Sequence, residues 1–192
     1  FTTGTHTIST ALFGLLRPGD TLLSISGAPY DTLIDVISGN NIGSLKDFGV
    51  DYRQVNLTEN GKFDNIKIKD SLQSPHSVIY IHRSRGYSFR NAFTVEDIEN
   101  IIKFVRGFSS APIIVDNCYG EFTQKKEPTE VGADLIMGSL IKNPGGGLAP
   151  TGGYIAGKAD LIKQIAFRMT APGVGSEVGS YAFGYRFLWH RT

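Results

Sequence analysis

The sequence predicts an α/β fold in three layers, with a mostly parallel sheet between two layers of helices. Two observations carry this. Short apolar runs of strand length alternate with stretches whose apolar residues recur at helical spacing, and that alternation is the mark of parallel strands joined by helices. At 192 residues, with 41% hydrophobic and 19% charged residues, the chain has the composition of a folded domain and the length to bury a sizeable core.

THTISTALFGLL (5–16) has helical apolar spacing and stops at RPGD, a Pro-Gly turn. TLLSIS (21–26) reads as a short strand and DTLIDVIS (31–38) as a helix running into the loop GNNIG. YRQVNL (52–57) alternates as a strand does, FDNIKIKDSLQ (63–73) is helical, and SVIYIH (77–82) is a buried strand. TVEDIENIIKFVRGF (94–108) is the clearest helix: Thr94 stands at the N-cap with Asp97 three residues on, and Val95, Ile98, Ile101, Ile102 and Val105 line one face. PIIVDN (112–117), ADLIMGS (133–139) and GGYIAG (152–157) are the remaining strands, and ADLIKQIAFRM (159–169) the last helix.

Net charge is +1, which gives no electrostatic case for a nucleic acid or an acidic membrane surface. No apolar run approaches the roughly 18 residues of a membrane span. Cys118 is the single cysteine, so no internal disulfide forms and a reducing cytoplasm is expected. A GxxxxGK[ST] loop is absent, and the glycines at 145–147 lack the strand–GxGxxG–helix setting of a dinucleotide site. Four histidines and one cysteine show no metal-ligand spacing, and no metal is expected. The chain opens at Phe1 and closes on FLWHRT after another amphipathic stretch; both ends are expected to be cuts through a longer protein.

Ligands of parallel sheets gather at the carboxyl ends of strands. That directs attention to GAPY, RSRGY, DNCYGE and SLIKNPGGG. TGTHTIS (3–9) opens a helix with Thr3, Gly4 and Thr5; it is either an ordinary N-cap or a phosphate cradle built from free N–H groups and hydroxyls. His6 beside it reads as structural. Asp116, at the end of PIIVD, is a turn-capping carboxylate or a buried one held for a cationic or hydrogen-bonding partner. Tyr30 packs in the core or stacks on a ligand. Arg83, Arg85 and Arg90 are solvated loop residues or anion binders, and Arg90 is expected to be solvated. Cys118 reads as a small filler. Lys142 lies between an apolar approach and three glycines, either as a surface lysine or as a partly desolvated amine nucleophilic toward aldehydes. Ser139, three residues earlier, could aim its hydroxyl at the same pocket.

A phosphate cradle, a strand-end tyrosine, an aspartate and a lysine together meet the needs of pyridoxal 5'-phosphate: donors for its phosphate, an aromatic for its ring, a carboxylate for its pyridinium nitrogen and an amine for its aldehyde. The chain resembles the aluminium-resistance or methionine gamma-lyase-like family of pyridoxal-phosphate enzymes of cysteine and methionine metabolism. The stretches that carry the resemblance are GTHTISTALFGLLRPGD, SGAPYDTL, GSLKDFGV, RSRGYSFR, VDNCYGEF, EPTEVGADLIMGSLIKNPGGGLAPTGGYIAGK and TAPGVGSEVG, nearly from end to end.

The resemblance implies the large cofactor-binding domain of fold type I over 1–192, without the family's N-terminal segment and C-terminal small domain, which supplies the arginine for the substrate carboxylate. It implies that Gly4 and Thr5 bind the cofactor phosphate with Thr3 beside them, that Ser139 donates to it, that Tyr30 stacks on the ring and can protonate a departing thiol, that Asp116 pairs with the ring nitrogen, and that Lys142 forms the internal aldimine and shuttles protons. The implied reaction is carbon–sulfur β- or γ-elimination from a sulfur amino acid, in a homodimer or homotetramer. An aminotransferase or synthase uses the same parts. The rival class is a non-catalytic metal-stress protein, although no acidic cluster suits a trivalent hard cation. Two departures stand out. Ile141 takes the place of a threonine usual before the lysine, and HRSRGY replaces the segment that supplies a partner for the cofactor's phenolic oxygen, leaving Arg83 or Arg85 for that place.

Overall fold

A computed structural model describes residues 1–86 and 89–175. Tyr87 and Ser88 of RSRGYSFR, the part of TAPGVGSEVG beyond Gly175 and the amphipathic stretch before FLWHRT lie outside the described residues.

Helix α1 (Gly4–Leu15) starts where Thr3, in extended conformation, accepts the His6 N–H on its hydroxyl at 3.0 Å. It ends where the Arg17 guanidinium reaches back to the carbonyls of Phe13, Gly14 and Leu16, ahead of the Pro18–Gly19 turn. The chain then runs through β1 (Thr21–Ser24), α2 (Asp31–Ser38), β2 (Asp51–Gln54), α3 (Asn65–Ser71), β3 (Val78–His82), α4 (Val95–Arg106), β4 (Ile113–Asp116), β5 (Leu135–Ser139), β6 (Gly153–Gly157) and α5 (Ala159–Ala166). Every element expected from the sequence is present, most of them trimmed at the ends. The 63–73 helix starts only at Asn65, because the Asp64 carboxylate caps the Lys67 N–H. In α4, Thr94 and Asp97 cap each other reciprocally. The loop GNNIGSLKDFG is folded around Asp47, whose carboxylate accepts the N–H groups of Asn41, Ile42, Gly43 and Ser44 and is thereby held below the usual carboxylate range.

The six strands form one sheet in the order β2-β1-β3-β4-β5-β6. The first five run parallel, and β6 runs antiparallel to β5. Residues 140–152 fold straight back, Leu140 N donating to Gly152 O at 3.0 Å, so no crossover helix intervenes and β6 must reverse.

Alternation along the strands divides the core in two. Leu22, Val78, Tyr80, Ile114, Leu135 and Met137 pack with α1, α2 and α5 on one face, and Leu23, Ile79, Ile81, Ile113, Val115 and Ile136 pack with α3 and α4 on the other. The helices thus lie in two layers with the sheet between them.

Candidate cofactor site

Strand parity places the site. Tyr80 and His82 on β3, Asp116 on β4 and Ser139 on β5 share the parity of the α1 face, and His82 stands directly opposite Asp116 in register. The amino end of α1 lies over the carboxyl ends of these strands. A cavity of about 410 Å³ opens there, and Thr3, Gly4, Thr5, Tyr30, Asp116, Ser139 and Lys142, all singled out in the sequence, line it. His82, Cys118 and Tyr119 line it as well.

The α1 end of the cavity suits an anion. The first backbone N–H groups of a helix have no intrahelical acceptor, and the helix dipole adds positive potential there. Gly4 lets the approach be close: a Cβ on it would lie 2.6 Å from Ser139 Cβ. Thr5 Oγ1 lies 3.2 Å from Tyr30 Oη, which fixes the tyrosine at the start of α2. Burial, reinforced by Asp116 and Cys118 and opposed by the Thr5 contact, pushes the Tyr30 phenol up to about 12. It therefore keeps its proton at neutral pH.

Asp116 is 0% exposed. Its Oδ2 accepts from Tyr80 Oη at 3.2 Å and lies 3.8 Å from His82 Nε2, while Oδ1 accepts the Cys118 N–H at 3.1 Å. Burial lowers the His82 pKa against the upward pull of Asp116, so the imidazole is neutral near pH 7 and its Nε2 pairs with Ser84 Oγ at 2.9 Å. Burial raises the Cys118 thiol, with Asp116 adding to it. It stays protonated, as a filler rather than a nucleophile.

Lys142 follows β5 and is half-buried at the cavity's mouth. Its Nζ donates to Tyr119 Oη and lies 4.3 Å from the centroid of that ring. Ile141 lines the cavity and is exposed.

A family model described as methionine gamma-lyase matches residues 1–190. The chain belongs to that family. A Bacillus subtilis relative, uncharacterized protein YnbB, is 50% identical over 190 residues, which are 97% of this chain and 45% of that protein. A solved structure from Listeria monocytogenes, described as a candidate cystathionine beta-lyase involved in aluminium resistance, is 52% identical with a TM-score of 0.89, over 93% of this chain and 46% of that one. The chain thus spans about half the length of these relatives. A solved structure from Campylobacter jejuni, described as a candidate O-acetylhomoserine (thiol)-lyase with a pyridoxyl-lysine, is 24% identical with a TM-score of 0.61, over 85% of this chain and 36% of that one, a likeness of fold. The architecture is that of the fold-type-I pyridoxal-phosphate enzymes, over part of their length.

The residues of this methionine gamma-lyase family chain fit pyridoxal phosphate. A glycine cradle at a helix start, a fully buried carboxylate and an amine at the mouth of one cavity match the cofactor's phosphate, ring nitrogen and aldehyde in kind.

Two arginine expectations change. Arg83 does not line this cavity. It is one residue past His82 and turns to the opposite face, where its guanidinium, 3% exposed, bonds Asn117 Oδ1 (2.6 Å), Gly120 O (3.0 Å), Gln124 Oε1 (2.9 Å) and Phe93 O (3.2 Å), beside Glu127. It braces the loop after Asp116. Arg90 is not a solvated loop residue: half-buried, it binds the carbonyls of His82, Ser84 and Asn91 and lies over the Phe93 ring at 4.2 Å. Arg85 is exposed and lines a neighbouring chamber together with Tyr30 and His82. His82 itself escaped sequence reading, although SVIYIH places it at a strand's carboxyl end.

Behind the site, Glu121 is buried, with Oε1 accepting from Tyr154 Oη at 2.9 Å and Oε2 without a partner among the described residues. Burial raises its pKa. A carboxyl raised in the fold binds more protons folded than unfolded, so its contribution is full below the unfolded value of about 4.3 and is lost as pH rises toward the folded value. Glu121→Gln keeps an acceptor for Tyr154 and removes the ionisation. Its stability relative to wild type is expected to increase from pH 4 to pH 8 in chemical denaturation; a constant difference would show that Glu121 is not buried as a neutral acid.

Proposed function

We propose that the chain is the cofactor-holding large domain, over 1–192, of a pyridoxal-phosphate-dependent carbon–sulfur lyase acting on a sulfur-containing amino acid by β- or γ-elimination. The observation that carries the reading is the convergence of the α1 start, Tyr30, Asp116 and Lys142 on one cavity. When bound, pyridoxal phosphate supplies an aldehyde for the lysine and an electron-withdrawing ring that takes up the charge left by the departing α-proton.

The rest falls to the chain's own residues. Gly4 and Thr5 N–H groups, with Thr3 and Ser139 beside them, hold the phosphate. Asp116, kept in place by Tyr80 and the Cys118 N–H, pairs with the ring nitrogen and keeps it protonated. Lys142 is the covalent anchor, and its Nζ takes the substrate's α-proton and returns it. Tyr30 covers the ring and, holding its proton at neutral pH, gives it to the departing thiolate. Water is consumed, and thiol, ammonia and a 2-oxo acid leave. The family resemblance supports a homodimer or homotetramer, and the lone Cys118 suits a reducing cytoplasm.

The test is an absorbance spectrum of the chain with pyridoxal phosphate before and after borohydride, followed by assay of thiol and 2-oxo acid from a panel of sulfur amino acids. The expected result is a borohydride-fixed cofactor on Lys142, with thiol and 2-oxo acid released in equal amounts. Amino-group transfer without thiol would make it an aminotransferase. No cofactor band together with tight aluminium binding would replace the enzyme reading by a metal-stress role.

A further inference from the structure

We propose that Tyr119 is a positioning residue for the Lys142 amine, a role that rests on the reading of Lys142 as the cofactor's lysine. One side chain holds the amine in two ways: the phenolic oxygen accepts from Nζ, and the ring face lies 4.3 Å from it.

Besides lining the cavity, Tyr119 has no other contact among the described residues that calls for a tyrosine. The ring is 58% exposed, so core packing does not require it. Its backbone is in the left-handed region, at φ +66°, which bulky side chains rarely adopt and which glycine or asparagine would occupy with less strain. Local preference opposes tyrosine here, burial does not favour it, and the contact that remains is Lys142. Strained residues of this kind cluster at functional sites.

The frame that brings the two together is stitched. Asn117 N donates to Met137 O at 2.9 Å and Gly120 N to Asn117 O at 2.8 Å, closing the turn that carries Tyr119. Arg83 pins Asn117 and Gly120 from behind. Asn143, next to Lys142, donates its amide to Glu121 O at 2.9 Å, tying the lysine's loop to the tyrosine's. A lysine side chain is long and freely rotating, and fixing its end beforehand lowers the entropy lost when the amine meets the cofactor's aldehyde.

Two measurements test this on the chain as it stands. The first is NMR of isotope-labelled lysines, with the Lys142 signal assigned through Lys142→Arg. Ring-current displacement of the Lys142 Cε methylene is expected in wild type, and its return to the position of the other lysines in Tyr119→Leu. The second is borohydride capture of pyridoxal phosphate, with peptide mapping of the modified lysine. Tyr119→Phe, which keeps the ring, and Tyr119→Leu are expected to reduce capture at Lys142 relative to other lysines by about threefold to tenfold, more in the leucine variant. An undisplaced Lys142 signal in wild type, or capture unchanged in both variants, overturns the proposal. Absence of capture at Lys142 in wild type defeats the cofactor reading and the positioning role with it, whereas normal wild-type capture that neither variant alters removes Tyr119 alone.

Discussion

Lys142→Ala is expected to abolish covalent capture of pyridoxal phosphate in the cavity while leaving the fold intact. The side chain is only half-buried and its Nζ bonds a single partner among the described residues, Tyr119, so truncation opens no core cavity and strands no buried charge there. The loss is therefore chemical. Lys142→Arg separates charge from nucleophilicity: it keeps a cation for the Tyr119 ring, but a guanidinium stays protonated and does not condense with the aldehyde. Both variants are expected to show no borohydride-fixed cofactor at residue 142 by mass spectrometry and no absorbance band from the lysine-bound form. Weak non-covalent binding through the α1 end is expected to remain, visible as quenching of protein fluorescence. A band of wild-type size in Lys142→Ala would place the anchor on another lysine and end the assignment.

Gly4→Ala is expected to damage both stability and cofactor affinity. The added methyl would lie 2.6 Å from Ser139 Cβ, 3.1 Å from its Oγ and 3.3 Å from its Cα, so helix and strand must separate. Overpacking of this kind costs roughly 1–3 kcal/mol. The same shift withdraws the α1 N–H groups from the anion they are proposed to hold, and the affinity for pyridoxal phosphate is expected to fall at least about tenfold, the cost of one charge-assisted hydrogen bond. Ser139→Gly removes the two side-chain contacts. The double variant is therefore expected to recover stability beyond what the single changes add up to, a coupling between the two positions. Affinity is not expected to recover, because the Ser139 hydroxyl is gone as well. Thermal unfolding and cofactor titration of wild type, both single variants and the double variant close the cycle. Additive single effects on stability would mean that Gly4 does not press on Ser139.

These two experiments bear on different parts of the site, and the parts were unequally legible. The start of α1 could be read from TGTHTIS as a helix cap and as a candidate anion cradle, because capping and helix starts are local: Thr3, Gly4 and Thr5 are adjacent in the chain and their geometry follows from a single turn of backbone. Asp116, Ser139 and Lys142 could be singled out as candidates because ligands of parallel sheets gather at strand carboxyl ends, and apolar runs mark where strands end. The capping box of α4 and the face of Val95, Ile98, Ile101, Ile102 and Val105 were likewise written in period and position.

What the sequence by itself determined was therefore the succession of elements, the α/β class and the residues at the ends of strands. Those depend on hydrophobic period, caps and turn residues, each a property of neighbours along the chain. Tertiary structure alone decided which side chains meet. Strand order and register set His82 opposite Asp116 and put Tyr80 on its Oδ2, contacts 34 and 36 residues apart that no local pattern encodes. Parity turned Arg83 away from the cavity one residue after turning His82 into it, and the bracing of residues 117–124 brought an exposed Tyr119 onto Lys142. A one-residue change of face is invisible in composition, but it decides the chemistry, because successive side chains on a strand point to opposite sides of the sheet.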